Sequence, residues 1–153
     1  MRLSSIFLAA LAAASPVAVS AQACVGPATP RTTRLVVEAT DLRNANGEVA
    51  FTVYPDSRSR FLAKGGKLLR ARVPARAPVT RACFHLPPGS YAVAQYHDAN
   101  RDHDFNRTLI APSEGFGFSN DAPTSIGLPS LSAARFALPA GGRTLRMRMR
   151  YRR

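Results

Sequence analysis

The chain has 153 residues, of which 46% are hydrophobic, and it carries a formal net charge of +12. Once a leader is removed, about 130 residues remain, which is enough for one domain and excludes a second. Almost all of the positive charge comes from arginine, because Lys64 and Lys67 are the only lysines. We expect this surface to attract anionic envelope components. The sequence has no tryptophan and no nucleic-acid-binding motif, which predicts no specific nucleic-acid partner.

Residues 1–23 have the pattern of a secretory signal peptide, with a positive start, an apolar run over residues 6–14 and a small-residue exit. Cleavage after Ala21 and cleavage after Ala23 both satisfy the small-x-small rule. The apolar run is shorter than the roughly 20 residues that cross a bilayer, and no later segment approaches that length. We therefore predict a periplasmic or secreted protein without a transmembrane segment, whose single mature domain spans residues 24–153.

The two cysteines, Cys24 and Cys83, both follow the predicted leader. Export would place them where disulfides form and persist, so we predict a Cys24–Cys83 bridge. Such a bridge closes a loop of about 60 residues and contributes about 4 kcal/mol on the chain-entropy estimate. The alternatives are a lipidated Cys24 and two free thiols.

The first strand signals come shortly after the predicted leader. Residues 35–39 are rich in β-branched side chains, and residues 48–54 alternate apolar side chains on one face. The Asn46-Gly47 turn signal between them predicts that these two strands form a hairpin. Residues 57–72 fit both a helical turn and a short edge strand, and the sequence does not decide between them.

Four further strands are predicted in the rest of the chain. Residues 79–86 and 91–96 flank a Pro-Pro-Gly turn, which predicts a strand–turn–strand unit. Residues 134–138 and 144–151 follow a polar loop and complete the set. His85 lies beside a core strand without an acidic neighbour in sequence, so we interpret it as structural.

The last predicted strand has one apolar and one charged face. Its apolar residues alternate with three arginines: Arg146, Arg148 and Arg150. Charged side chains on an edge strand discourage pairing between molecules, so we interpret this row as edge protection, with a ligand-binding ladder as the alternative. About seven short strands without a long amphipathic helix predict an all-β fold, a single antiparallel β-sandwich of immunoglobulin-like or transthyretin-like type.

One segment of this basic chain is acidic. It places oxygen-bearing side chains at every second position, followed by one glutamate: Asp98, Asn100, Asp102, Asp104 and Glu114. Such a set of oxygen ligands suits a hard cation, and calcium is the natural candidate. The first, third and fifth positions of an EF-hand loop are matched, but His103 and Leu109 stand where that pattern has Gly and Glu. The predicted site is therefore weak unless Glu114 folds back to supply the missing carboxylate.

Two other interpretations of this loop remain open. Its Asp and Asn side chains can cap turns and pair with Arg101 and Arg107 without binding a metal. A transition-metal site formed by His97, His103 and Asp98 is the other interpretation, although the spacing of the histidines is not a specific motif.

Residues 115–120 combine two glycines with three candidate binding residues, Phe116, Phe118 and Asn120, to which we add His97. The pattern favours a tight loop that lids one end of the sandwich, and a contact surface for a sugar or a peptide is the alternative. Ser119 does not fit a nucleophile elbow, because Asp121 stands where that motif has Gly.

Three segments carry a resemblance to a known family: LPPGSYAVA at 86–94, YHDAN at 96–100 and EGFGFSN at 114–120. Together with a terminal strand that ends in Tyr151, they are similar to the exported bacterial proteins grouped as domain of unknown function 2141. The resemblance covers residues 35–151 and implies export and one β domain. It implies no activity, because none is established for the family. Asp102 and His103 stand where the family pattern has Asn and Gly.

We therefore predict an exported, non-enzymatic β-sandwich module with a binding or structural role at the cell envelope and a calcium or structural-cation loop. One alternative is a hydrolase that uses His97 with Asp98, Asp102 or Glu114 as acid and base, although no complete catalytic set accompanies them. The other alternative is a polyanion-binding protein that uses the arginine-rich sheet, whose binding should fall steeply with salt.

Overall fold

Nearly all of the regular secondary structure in the described residues is β-strand. The computed structural model describes residues 23–105, 114–125 and 127–151, so nearly all of the predicted leader lies outside the described residues. Eight strands follow one another: β1 (Thr33–Thr40), β2 (Glu48–Pro55), β3 (Leu69–Pro74), β4 (Thr80–Leu86), β5 (Gly89–Asp98), β6 (Gly115–Phe118), β7 (Phe136–Leu138) and β8 (Arg143–Arg148). The helical elements are a 3-10 turn at Ser119–Asp121 and a short helix, α1, at Leu131–Ala134. In the described ranges, no helix is long and apolar enough to cross a membrane.

The strands form two sheets that share one apolar core. The smaller sheet has the order β4-β1-β8, and the larger has the order β3-β2-β5-β6, with β7 paired to the start of β5. Leu35 and Val37 from β1 pack in the same buried cluster as Phe51 from β2 and Val93 from β5. The predicted all-β sandwich is confirmed, although β1 and β8 run parallel rather than antiparallel.

The predicted hairpin between the first two strands is wrong. β1 pairs with β4 and β8, whereas β2 pairs with β3 and β5, so the turn at Asn46-Gly47 carries the chain from one sheet to the other. The turn itself is where the sequence placed it. Gly47 has φ +68°, and a Cβ atom there would lie 2.0 Å from the carbonyl oxygen of Asp98, so only glycine fits. β1 pairs with strands that lie far along the chain, and this pairing outweighs the local turn signal.

The structure also decides residues 57–72, which the sequence left open, and the pairing of the strands on either side of the Pro-Pro-Gly turn. Residues 57–72 contain turns and then β3, which is an edge strand of the larger sheet. The Pro-Pro-Gly turn joins β4 to β5, but these strands lie in different sheets, so the unit is a crossover and not a pair.

The predicted Cys24–Cys83 disulfide is confirmed, and the described residues include no free cysteine. Next to it, the Val25 amide donates to the carbonyl of Cys83 at 2.8 Å, and the His85 amide donates to the carbonyl of Val25 at 2.9 Å. The bridge therefore holds residues 24–26 along β4, at the edge of the smaller sheet. This contact covers backbone groups that an edge strand would otherwise expose.

Two of the three arginines of the last predicted strand fit the edge interpretation. β8 lies at an edge of the smaller sheet, with Leu145 and Met147 buried and Arg146 and Arg148 exposed. Arg150 follows β8, is half-buried and donates to the carbonyls of Asp121 and Ala122. Two of these arginines pair with carboxylates, Arg146 with Glu38 at 3.2 Å and Arg148 with Asp41 at 3.4 Å.

Candidate metal centre

Strand register places several charged residues on the outer face of the larger sheet, at one end. Glu48 at the start of β2 lies opposite Asp98 at the end of β5. One row further in, Ala50 lies between Arg72 of β3 and Tyr96 of β5. Because alternate residues of a strand share a face, the side chains of these four polar residues meet. We call this part of the molecule the acidic end, defined by six residues: Asp41, Glu48, Asp98, Asp102, Asp104 and Glu114.

Asp98 is the centre of this arrangement. Its side chain is fully buried, with a relative exposure of 0%. Its Oδ2 atom accepts hydrogen bonds from Nη1 of Arg72 at 3.2 Å and from the His103 amide at 3.0 Å. Its Oδ1 atom is also buried and accepts no hydrogen bond from any described residue. A buried carboxylate oxygen without a partner is costly, so this atom calls for a bound cation or another donor.

Two more carboxylates approach Asp98. Asp98, Asp102 and Glu114 each offer an oxygen, and these three atoms lie within 4.8 Å of one another. A second group at the same spacing consists of Glu48, Asp98 and His103. Like charges this close repel one another strongly at a partly buried site. A divalent cation would turn that repulsion into attraction.

Arg72 compensates part of this negative charge. Its Nη1 atom donates to Glu48 at 2.7 Å, and its Nη2 atom donates to the hydroxyl of Tyr96 at 2.7 Å and the carbonyl of His103 at 2.9 Å. Burial acts to lower the pKa of Arg72, but the hydrogen bonds to Glu48 and Tyr96 outweigh it, so the pKa is raised above its ordinary value. Arg72 therefore donates hydrogen bonds to Glu48 and to Oδ2 of Asp98, but not to Oδ1 of Asp98.

The loop after β5 shares one backbone feature with an EF-hand loop, a positive φ at its sixth position. Nδ2 of Asn100 donates to Asp102 at 2.8 Å, and the Asp104 amide donates to Oδ1 of Asp102 at 2.9 Å. His103, at the position where the EF-hand pattern has Gly, has φ +66°, in the left-handed region. The backbone thus makes the sharp turn despite the missing glycine. Leu109, at the position of the missing Glu, lies outside the described residues.

The structure brings together only part of the predicted ligand set. Asp98, Asp102 and Glu114 converge. Asn100 contacts Asp102 and braces it, whereas the Asp104 side chain is exposed and its carboxylate belongs to neither group of converging ligands. Glu48, Arg72 and Tyr96 were not among the predicted site residues. Glu48 and Arg72 reach Asp98 only through the register of β2 and β3, so no local pattern marks them, whereas Tyr96 stands in the YHDAN segment beside Asp98.

His97 lies on the other face of β5 from Asp98. Its relative exposure is 2%, its Nδ1 atom lies 2.7 Å from the Tyr151 hydroxyl, and its Nε2 atom lies 2.7 Å from the Asn46 carbonyl. The carbonyl can only accept, so Nε2 carries the hydrogen, and in the neutral ring Nδ1 accepts from the hydroxyl. The Arg43 amide donates to the same hydroxyl at 3.2 Å. One ring nitrogen of His97 therefore binds Tyr151, and the other binds the turn before β2.

The predicted Gly-Phe lid is a strand instead of a loop. A Cβ atom on Gly115 would lie 2.3 Å from the ring of Tyr151, and one on Gly117 would lie 2.3 Å from the carbonyl of Arg148. The glycines thus let the last residues of the chain approach β6 closely. Nδ2 of Asn120 donates to the carbonyl of Arg135 at 2.7 Å, which is a structural contact.

The phenylalanines of β6 point to the outer face of the larger sheet. Phe116 lies 6.0 Å from Phe105 and 6.2 Å from Phe118, measured between ring centroids, and Phe105 lies 5.5 Å from Tyr96. These rings line a groove of about 170 Å³ that also includes Arg70 and Thr52. Phe105 directly follows Asp104 in the loop after β5, so the position of this loop sets one wall of the groove.

Comparison with known proteins gives one match. No curated protein and no solved structure matches the chain. A protein-family model described as an uncharacterized protein conserved in bacteria (DUF2141) matches residues 37–146, which include six of the eight strands in full and parts of β1 and β8. The chain therefore belongs to the bacterial DUF2141 family.

Proposed function

We propose that this protein is an exported, non-enzymatic β-sandwich module of the bacterial envelope whose acidic end binds a calcium ion. The observation that carries the proposal is the fully buried Asp98, whose Oδ1 atom has no partner among the described residues and whose carboxylate lies near those of Asp102 and Glu114. Oxygen-only ligands of this kind select a hard cation. Three protein carboxylates in an irregular arrangement suit calcium, which tolerates variable geometry, better than magnesium, which usually keeps several waters and takes one or two carboxylates.

The ligands come from two segments that are distant in sequence. Asp98 is the last residue of β5, Asp102 lies in the loop that follows, and Glu114 immediately precedes β6. A bound ion would therefore join the end of β5 to the start of β6, in addition to the hydrogen bonds of the sheet. With Leu109 in place of the bidentate Glu, we expect an affinity in the range of extracellular modules, with a Kd of about 10⁻⁴ to 10⁻³ M.

Export is supported by the signal-peptide pattern of residues 1–23 and by the Cys24–Cys83 bridge, since disulfides persist outside the cytoplasm. A non-enzymatic role is supported by His97, the residue on which the hydrolase alternative depends. Both of its ring nitrogens are engaged in the interior, and it contacts a set of residues that Asp98 does not share.

Calcium-dependent thermal melting tests the cation site, because a ligand that binds only the folded state stabilises it. At a free calcium concentration 100 times the Kd, the stabilisation is about 2.7 kcal/mol. For a domain of this size, that raises Tm by roughly 8 °C. We expect Asp98→Asn and Asp102→Asn each to abolish the rise.

Asp56→Asn is the matched control, because Asp56 is exposed and pairs with Arg135 at the other end of the sandwich. It should keep the full calcium response. The proposal fails if 10 mM calcium leaves the Tm of the natural protein unchanged, or if Asp98→Asn and Asp56→Asn respond alike.

A further inference from the structure

The strand directions show which charged residues lie at each of the two ends of the sandwich. β1, β5 and β8 all finish at the acidic end, where Tyr151 meets His97. Their first residues lie at the opposite end. There the start of β8 meets β7 through the hydrogen bond from Arg143 to the carbonyl of Ala137, at 2.9 Å. We call this opposite end the basic end, defined by residues 27–34, 56–68 and 135–143.

The basic end is almost free of negative charge. Its cationic residues are Arg31, Arg34, Arg58, Arg60, Lys64, Lys67, Arg135 and Arg143. All nine acidic residues of the chain lie in described segments, and the only one at this end is Asp56. Asp56 pairs with Arg135 at 3.4 Å. The other seven cations form no ion pair with any of the nine carboxylates.

These seven side chains are all exposed, and both lysines of the chain are among them. Elsewhere the cations are more often compensated: Arg72, Arg81, Arg146 and Arg148 each pair with a carboxylate. Leu68, with 38% of its surface exposed, lies next to Lys67 within the basic end. The basic end thus combines uncompensated positive charge with an accessible apolar side chain.

We infer that the basic end docks on an anionic lipid surface. Lipid phosphates attract exposed Lys and Arg side chains by about 1 kcal/mol each. An apolar side chain among them, such as Leu68, can enter the headgroup region of a bilayer but gains nothing from a fully hydrated polymer. The inference rests on the proposed export for its cellular setting, but it does not depend on the calcium site.

Vesicle binding tests this inference with two charge-matched variants. The first, Arg34→Gln/Lys64→Gln/Lys67→Gln, removes three unpaired cations of the basic end. The second, Arg76→Gln/Arg146→Gln/Arg148→Gln, removes three exposed cations elsewhere and gives the same net charge. Both are compared with the natural mature chain by co-sedimentation with vesicles of equal parts phosphatidylglycerol and phosphatidylcholine, in EDTA, so that calcium plays no part.

We expect the first variant to bind about a hundredfold more weakly than the natural chain, and the second to change by less than about threefold. Pure phosphatidylcholine vesicles should not bind the protein, and 1 M salt should release it from the anionic ones. Equal losses in the two variants would show that net charge alone drives binding and would overturn the inference. Binding to a soluble polyuronate but not to vesicles would overturn it in favour of an acidic polysaccharide.

The orientation on the membrane has its own readout, because the chain contains no tryptophan. Leu68→Trp places one reporter at the basic end, and Ala45→Trp places one at an exposed position near the acidic end. Anionic vesicles should shift the tryptophan emission of Leu68→Trp to shorter wavelength and leave Ala45→Trp unchanged. The opposite pattern, or equal shifts, would contradict docking through the basic end. The calcium titration is independent of this result, so the two proposals can fail separately.

Discussion

The two ends of the sandwich present their charged residues in opposite ways. At the acidic end, Arg72 is partly buried and contacts Glu48, Asp98 and Tyr96, so each group is positioned by the others. At the basic end, Arg34 is exposed and makes no ion pair with any acidic residue of the chain. Positioned, desolvated charges can define a small site for one ion, whereas solvated charges act together as a surface. We therefore propose a specific ligand for one end and a broad binding surface for the other.

Arg72→Met should lower the free energy of unfolding more than any other substitution considered for the two ends, because it leaves the buried Asp98 without its positive partner. Removing one member of a buried ion pair costs about 3 kcal/mol or more. Arg81→Met is the matched control, since the Arg81 side chain is 67% exposed although it pairs with Glu38 at 2.6 Å. It should cost about 1 kcal/mol or less. Urea unfolding at pH 7 measures both.

A second substitution sharpens this result. Adding Asp98→Asn to Arg72→Met removes the charge left unpaired, so the double variant should be more stable than Arg72→Met alone. If Arg72→Met and Arg81→Met cost the same, or if Asp98→Asn gives no recovery, the acidic end is not the desolvated network described above.

Glycine substitutions test the packing at the two ends. Gly115→Ala should destabilise the protein by about 2 kcal/mol, because its new methyl group would overlap the ring of Tyr151. Gly141→Ala, in the turn before β8 at the basic end, has no atom within 4 Å of the new Cβ. It should change stability by about 0.5 kcal/mol or less. Thermal unfolding of the two variants side by side distinguishes them, and equal effects would contradict the close approach of Tyr151 to β6.

Raising the pH into the alkaline range should have the smallest effect on the stability of the protein. Burial raises the pKa of Tyr151 and of Tyr96, although Arg43 opposes the shift at Tyr151 and Arg72 opposes it at Tyr96. In the unfolded chain these phenols titrate near their ordinary pKa of 10.0. The folded state thus holds the phenolic protons more tightly, so its stability is complete below about pH 10 and falls as the pH rises through the higher folded values.

Urea midpoints measured between pH 8 and pH 11 check this expectation. The Tyr151→Phe variant should be less stable at pH 8, because Nδ1 of His97 loses its hydrogen-bond donor, but it should lose less stability than the natural protein as the pH rises. Parallel losses in the two proteins would show that Tyr151 does not contribute to the alkaline response.

The sequence analysis succeeded where short-range pattern and covalent chemistry decide the structure. Alternating apolar residues located β2 and β8, and the presence of two cysteines after a predicted leader indicated the disulfide. It failed at the first hairpin, because β1 finds its partners in β4 and β8, which are 40 to 110 residues away, a distance over which local turn signals carry no information.

The candidate site divides in the same way. Asp98 ends β5 and Asp102 lies in the loop that follows directly, so their spacing was visible in the sequence. Arg72 and Glu48 reach that loop only through the register of β2 with β3 and β5. The basic end was hidden for the same reason. Its cations come from three separate segments, and only the directions of the strands show that they share one end of the molecule.

Calcium bound at Asp98 is the central claim, and anomalous diffraction from crystals grown in 10 mM calcium chloride tests it most directly. The predicted result is an anomalous peak at about 2.3–2.6 Å from carboxylate oxygens of Asp98, Asp102 and Glu114, with Oδ1 of Asp98 among them. Absence of a peak there, with a water molecule or a protein donor hydrogen-bonded to Oδ1 of Asp98, would contradict the proposed site.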